Sequence, residues 1–433
     1  MFKVLRLLYT LFIALALPLI FGRLLLRSLR LPAYRKRLLE RLGIYANFTV
    51  KSNGLWIHAV SVGEVVAAIP LVEVIQHKYP ALPVTITTTT PTGSQRVQQS
   101  FGNSVAHVYL PYDIPLFLNR LIKALQPCCL IIMETELWPN LLQQCTNSNI
   151  PVVIANGRIS DRSLRGYMRF RWFIKQILQQ VSFVAAQSKM DANRFIQLGM
   201  PAQQVQAVGN LKFEVAASVV QQQLGKALKS TLTERLVWVA ASTHVAEEEQ
   251  VLAAFKQVLA HIPQCLLILV PRHPDRFKDV AALLTQHNIN YITRSSGISC
   301  SNDTKILLGD TMGELNIFYA AADIAFIGGS LVPIGGHNLL EPAVLGVPSI
   351  TGPHVENFKD IAKLLINIGS LHMVQNSDQL ARQVITWGLD PNLRLGLSTK
   401  VQQTIADNSG AAATICQYLE HHKYFSGQVL AKR

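Results

Sequence analysis

Charge is sparse in this chain, and most of the sequence signatures that mark a cofactor or metal site are missing from it. Charged residues make up 15% of 433 positions and hydrophobic residues 49%. That is too apolar for a disordered chain and too polar for a polytopic membrane protein, so the bulk is expected to be globular. The six cysteines are scattered, with Cys128 and Cys129 adjacent and no C-x-x-C pair. Neither a disulfide framework nor a zinc site is suggested, and a reducing compartment fits best. There is no G-x-G-x-x-G, Walker loop, H-E-x-x-H or G-x-S-x-G elbow, so four common site classes lose their sequence support. No D-x-D triplet occurs, which argues against a divalent metal holding a nucleotide diphosphate. Solenoid repeats and low-complexity tracts are absent as well.

What is abundant is positive charge. A net charge of +14 and a pI near 9.6 call for an acidic partner: nucleic acid, anionic lipid or an anionic substrate. Much of the excess follows the apolar run Leu7 to Phe21, at Arg23, Arg27, Arg30, Arg35, Lys36, Arg37 and Arg41, whereas only Lys3 and Arg6 precede it. By the positive-inside rule everything after the run is cytoplasmic. The sequence after the run stays basic and apolar rather than offering a small-residue cleavage site, so it reads as an anchor, not a cleaved signal peptide. A second basic segment interleaves Arg158, Arg162, Arg165, Arg169, Arg171 and Lys175 with Tyr167, Phe170, Trp172 and Phe173. Beside an anchor it reads as a membrane-surface or lipid-phosphate face, the plainer alternative being a solvated helix with its aromatics in the core.

Beyond Arg41, short β-branched runs alternate with helical stretches. Leu55–Val60, the runs from Pro83, His107, Cys129 and Pro151, and Phe183–Gln187 form one strand series. Leu236–Ala241, Cys265–Val270, the run from Lys305 and Asp323–Gly328 form a second. Strands apolar on both faces and alternating with helices predict parallel α/β sheets. The expected organisation is an anchor and basic juxtamembrane segment over 1–44, a Rossmann-like domain over 45–215 and another over 216–433, with the stretch from Ala216 to Thr233 as the junction. Two such domains would face a cleft, with ligands at the carboxyl ends of the strands.

The candidate chemistry sits at those ends. In His58-Ala-Val-Ser-Val-Gly-Glu64, Ser61 and Glu64 have capping-box spacing. The cap is the commoner use of that spacing, and the alternative is that Glu64 serves as a general base on an acceptor hydroxyl. In Glu134-Thr-Glu-Leu-Trp-Pro-Asn140, two carboxylates leave one apolar strand, and at least one must be exposed or paired with a base. Lys212, in Gly209-Asn-Leu-Lys-Phe213, offers a point charge for a phosphate or carboxylate. Arg272 and His273 follow another strand, and Met312-Gly313-Glu314-Leu315 follows the next. Gly328 to Pro342 holds four glycines and then Asn338, Leu339, Leu340 and Glu341. A helix beginning at Asn338 would aim free N–H groups at an anion, the alternative being a plain Asn338–Glu341 cap.

Taken in order behind a basic anchor, HAVSVGE, ETELWPN, GNLKFE, PRHP, MGEL and GGHNLLEP resemble the Kdo (3-deoxy-D-manno-octulosonic acid) transferases of lipopolysaccharide synthesis. The resemblance spans nearly the whole chain. It implies the B-type glycosyltransferase fold, CMP-Kdo as donor, the tetra-acylated lipid A precursor as acceptor, and inversion without a bound metal or other cofactor. It implies Glu64 as general base and places Glu134 and Lys212 with the family's transition-state-stabilising residues. Arg272, His273, Gly313, Glu314, Leu315, Asn338, Leu339, Leu340 and Glu341 would hold the nucleotide. The partners implied are donor, lipid acceptor and anionic inner-membrane lipid, with one N-terminal anchor and cytoplasmic domains. Two rival readings share some of these features: a nucleotide-sugar epimerase of the same fold, which needs no anchor, and a non-catalytic anionic-lipid-binding membrane protein, which leaves Glu64 without a purpose. Nucleic-acid binding ranks last, its usual motifs being absent.

Overall fold

The computed structural model of the protein describes residues 2–30, 32–45, 50–214, 218–232 and 235–425. The chain divides into two compact units, Met1–Glu214 with Asn408–Arg433, and Val215–Asp407. The expected boundary residues 215 and 216, and Thr233 at the far end of the expected junction, lie outside the described residues.

The first unit is built on a parallel sheet of β1 (Leu55–His58), β2 (Val84–Thr88), β3 (Ala106–Tyr109), β4 (Cys129–Met133), β5 (Val152–Gly157), β6 (Phe183–Ala186) and β7 (Val205–Ala207), in the order β3-β2-β1-β4-β5-β6-β7. Its central strands are rich in apolar and β-branched residues because both faces are covered. Leu55, Ile57, Ile131 and Met133 enter one buried layer, and Trp56, Leu130 and Ile132 enter the other. The second unit repeats the plan with β8 (Val237–Thr243), β9 (Leu266–Pro271), β10 (Tyr291–Thr293), β11 (Ile306–Leu308), β12 (Ile324–Ile327), β13 (Ser349–Thr351) and β14 (Leu371–Met373), ordered β10-β11-β9-β8-β12-β13-β14. All ten expected strands are present. The four that were not expected, β7, β10, β13 and β14, span three residues each.

The helices that matter below are α1 (Phe2–Arg30), α2 (Val62–Lys78), α3 (Pro139–Asn147), α4 (Asp161–Arg169), α5 (Arg171–Leu178), α6 (Val219–Thr231), α7 (Glu247–His261), α8 (Leu315–Ala321), α9 (Leu340–Val344) and α10 (Ala411–His421). Helix α1 is long and apolar enough to cross a membrane. The basic aromatic segment is two helices, α4 and α5, broken at Phe170. The expected junction is largely α6. It packs in the second unit so closely that a Cβ on Gly225 would lie 2.4 Å from the Ala320 side chain.

The C-terminal segment departs from expectation. From Asn408 the chain belongs to the first unit, not to the second, where 216–433 had been placed. The cause is α10, whose Ala411, Ala412, Ile415, Cys416 and Leu419 join the buried layer beneath α2. Burying Ile415 and Leu419 is worth about 1.5–3 kcal/mol each. Tyr418 also stacks on Phe183 at 3.9 Å, and Glu214 accepts the Ala412 N–H at 3.1 Å.

Candidate active site

In the first unit, β1 ends in a turn that α2 immediately follows. Ser61 caps α2, and the Glu64 carboxylate accepts from the Val60 N–H at 2.7 Å and from the Ser61 hydroxyl at 3.0 Å. The capping box is formed, and it holds the carboxylate in place. Each carboxylate oxygen has two lone pairs and gives one to the box, so a second on each remains for a proton. Glu64 is 7% exposed. Burial pushes its carboxyl up to about 7, and the Glu136 and Glu134 carboxylates push the same way against the Val60 and Ser61 donors.

Those two acids leave β4 on the neighbouring strand. Glu134 sits at φ 57°, left-handed backbone that a non-glycine residue holds only at a cost of about 1–3 kcal/mol. Its carboxylate lies 3.6 Å from Lys212 Nζ. Lys212 is set by its own neighbours: Asn210 caps the turn by accepting the Lys212 N–H at 3.0 Å, and buried Asn156 accepts the Leu211 N–H at 3.0 Å. Glu134 and Lys212 are thus paired, and the field of Glu134 reaches Glu64. Sequence reasoning gave no role to Glu136 itself. It accepts the Trp138 indole N–H at 2.7 Å, and burial raises its carboxyl, with Glu134 adding to the rise. Its field also reaches Tyr167 on α4.

In the second unit, the ends of β8, β9 and β11 enclose a cavity of about 260 Å³ lined by Arg272, Gly313, Leu315 and Glu341, together with Ser242, Val270, Pro271, Thr311, Met312 and Asn316. The exposed guanidinium of Arg272 makes no hydrogen bond or ion pair to a described residue. It acts on Glu341, whose carboxyl is raised by burial, the Asn338 amide and Arg272 opposing. Ser242 is another non-glycine residue in left-handed backbone, at φ 56°.

The other expected residues support this cavity rather than line it. Glu314 is held by the Nε and Nη2 of Arg294, at 3.1 and 2.9 Å, and by the Thr311 hydroxyl, so it shapes the loop around Gly313. Asn338 donates to Glu341 at 3.1 Å and accepts the Leu340 N–H at 3.1 Å. The helix expected from Asn338 starts at Leu340 and runs five residues; Leu339 and Leu340 are buried. His273 stands edge-on to His244, which stacks on His337 at 5.1 Å.

The sequence also gave no hint of Glu247, at the start of α7 and fully buried. One carboxylate oxygen accepts the His244 and Gly329 N–H groups at 3.0 and 2.7 Å; the other accepts Ser330 and Leu331 at 3.0 and 2.9 Å. Three of these four donors belong to the glycine loop after β12, and the fourth ties it to the end of β8. Gly329 must be glycine: φ is 66°, and a Cβ would lie 2.9 Å from the His337 ring.

The family model of the 3-deoxy-D-manno-octulosonic-acid transferases (kdotransferases) matches residues 36–215. The 3-deoxy-D-manno-octulosonic acid transferase of Haemophilus influenzae is 41% identical over 421 residues, covering 96% of this chain and 98% of that one. This chain belongs to the Kdo transferase family. A solved C-terminal CMP-Kdo binding domain of WaaA from Acinetobacter baumannii is 34% identical, covering 43% of this chain and 98% of that domain, with a TM-score of 0.42. The UDP-GlcNAc 2-epimerase of Neisseria meningitidis is 12% identical and covers 85% of this chain and 100% of the epimerase, with a TM-score of 0.51; that likeness is one of fold alone. The chain is therefore a glycosyltransferase of the Kdo transferase family, built from two parallel-sheet α/β units.

Proposed function

We propose that this Kdo transferase moves Kdo from CMP-Kdo to the tetra-acylated lipid A precursor, with inversion and without a metal, at the cytoplasmic face of a bacterial inner membrane. The observation that carries the reading is Glu64, a buried carboxylate at a strand-to-helix turn whose pKa near 7 suits a general base at neutral pH. Glu64 takes the proton of the acceptor's primary hydroxyl as that oxygen forms its bond to the anomeric carbon of Kdo. The carbon–oxygen bond to CMP breaks, and CMP leaves with the electron pair as a monophosphate. Lys212, held by Glu134, places positive charge near the reacting centre. Arg272, which lines the 260 Å³ cavity and pairs with no described residue, receives the phosphate, with Gly313, Leu315 and Glu341 around the nucleotide and His273, Glu314, Asn338, Leu339 and Leu340 supporting them. Fixed cations of this kind stabilise a leaving phosphate where other transferases use a metal.

The test is transfer from CMP-Kdo to lipid A precursor by purified protein in the presence of a chelator. Chelator-resistant transfer is expected; a folded protein that binds CMP but transfers nothing would overturn the acceptor assignment. Arg272→Ala should weaken CMP binding about 10- to 100-fold, the reach of one charged hydrogen bond, and leave Tm unchanged because its guanidinium holds no described residue. Calorimetric titration with CMP reads the first quantity and a melting curve the second.

Glu136→Gln gives a separate handle on the base. Removing a carboxylate whose field raises Glu64 should move the acid limb of the pH–rate profile to lower pH. The rate at pH 8 should change by less than about fivefold, since one partly screened charge is worth ~1 kcal/mol or less. An acid limb that stayed in place would argue against Glu64 as its source.

A further inference from the structure

Helix α1 has two faces. Leu8, Leu11, Phe12, Leu15, Leu19 and Leu26 are each at least half exposed and form one stripe at three- and four-residue spacing. The opposite stripe, which includes Phe2, Arg6, Tyr9, Thr10, Ile13 and Phe21, is half-covered by the first unit.

Polar groups hold that covered stripe in place. Asn140 of α3 donates to the Thr10 hydroxyl at 2.8 Å. Asp113, 1% exposed, accepts the Asn140 and Leu141 N–H groups at 3.0 and 2.8 Å, takes a hydrogen bond from Tyr9 and feels the charge of Arg6. Aromatic contacts tie both ends: Phe2 meets Phe173 of α5 at 5.4 Å, and Phe21 meets Tyr112 at 5.7 Å. From Phe2 to Phe21 the helix runs about 29 Å at 1.5 Å per residue, roughly the thickness of a hydrocarbon core. A helix crossing the bilayer would carry Phe2 to the far side and leave Arg6, Tyr9 and Thr10 without these partners in hydrocarbon, which is costly.

We infer that α1 is an in-plane anchor: it docks on the first unit by its polar and aromatic stripe and sinks its leucine stripe into one leaflet of an anionic bilayer. The inference rests on the membrane-anchor reading and goes beyond it by fixing the helix's orientation. Charge and continuity identify the occupant. Next to the Phe2 end, Phe170 and Trp172 are 63% and 39% exposed, and Arg162, Arg165, Arg169 and Arg171 are exposed around them. Aromatic rings ringed by arginines suit an anionic headgroup layer.

The test uses the full-length chain expressed in a bacterium, with Lys3→Cys probed in spheroplasts by a membrane-impermeant maleimide against the wild-type background. No added label before permeabilisation and full label after it are expected. A Phe2→Cys, Phe173→Cys pair, whose parent rings are in contact, should be joined by a short bis-maleimide cross-linker. Labelling from outside intact spheroplasts would mean a crossing helix and overturn the inference while leaving the anchor reading standing. Absence of both external label and cross-link would overturn the docking on the first unit. Release of the whole chain from membranes by alkaline carbonate would overturn the anchor reading itself.

Discussion

Glu64→Gln is expected to lower kcat for Kdo transfer by about 10²- to 10⁴-fold, the usual contribution of a positioned general base, with little change in donor binding. The glutamine keeps an oxygen for the Val60 N–H but cannot take a proton. Stability should respond in the opposite sense. The folded-state carboxyl titrates near 7 against an ordinary 4.5, so its ionisation costs stability as pH rises from about 4.5 through 7. A neutral glutamine escapes that cost, and Tm at pH 8 should not fall. Initial rates and melting curves across pH 5 to 9 separate the alternatives. A carboxylate that serves only as a helix cap predicts lost stability with modest loss of rate. The general base predicts a rate collapse in a protein at least as stable as the wild type.

How far the sequence could lead depended on whether a feature was local. The ten expected strands were legible because burial on both faces leaves them rich in apolar and β-branched residues. Ser61 and Glu64 were legible because a capping box is fixed by a spacing of three. The resemblance grouped Glu134 with Lys212, but their ion pair was not legible, since 78 residues lie between their positions and no pattern links them. Glu314 shows the same limit: the resemblance places it with the nucleotide, and no pattern announces that its carboxylate pairs with Arg294, 20 residues away. The C-terminal segment was expected in the second unit because no sequence pattern says which sheet α10 packs against. Helix α1 was read from composition as an anchor, while the polar stripe that fixes its orientation finds its partners beyond residue 110.

Glu247 is the sharpest case of a residue whose role exists only in the folded chain, and it carries the largest expected effect on stability. Glu247→Ala removes the acceptor of four backbone N–H groups, three of them more than 80 residues away in sequence. Each buried donor left without a partner costs about 1–3 kcal/mol. Even with water entering to satisfy some of them, the second unit should lose about 4 kcal/mol, at the exceptional end for one substitution. The isosteric Glu247→Gln is the more discriminating variant. All four partners are donors, so a glutamine must turn its own NH₂ toward two of them. It should lose most of what alanine loses, whereas at a site that merely fills space it would be neutral. With Gly329 and His337 released, CMP binding should weaken as well, and added Kdo donor should not restore the melting temperature to the wild-type value. Melting curves with and without CMP measure both effects, and a Glu247→Gln protein that melted with the wild type would show that the glycine loop is held by something other than this carboxylate.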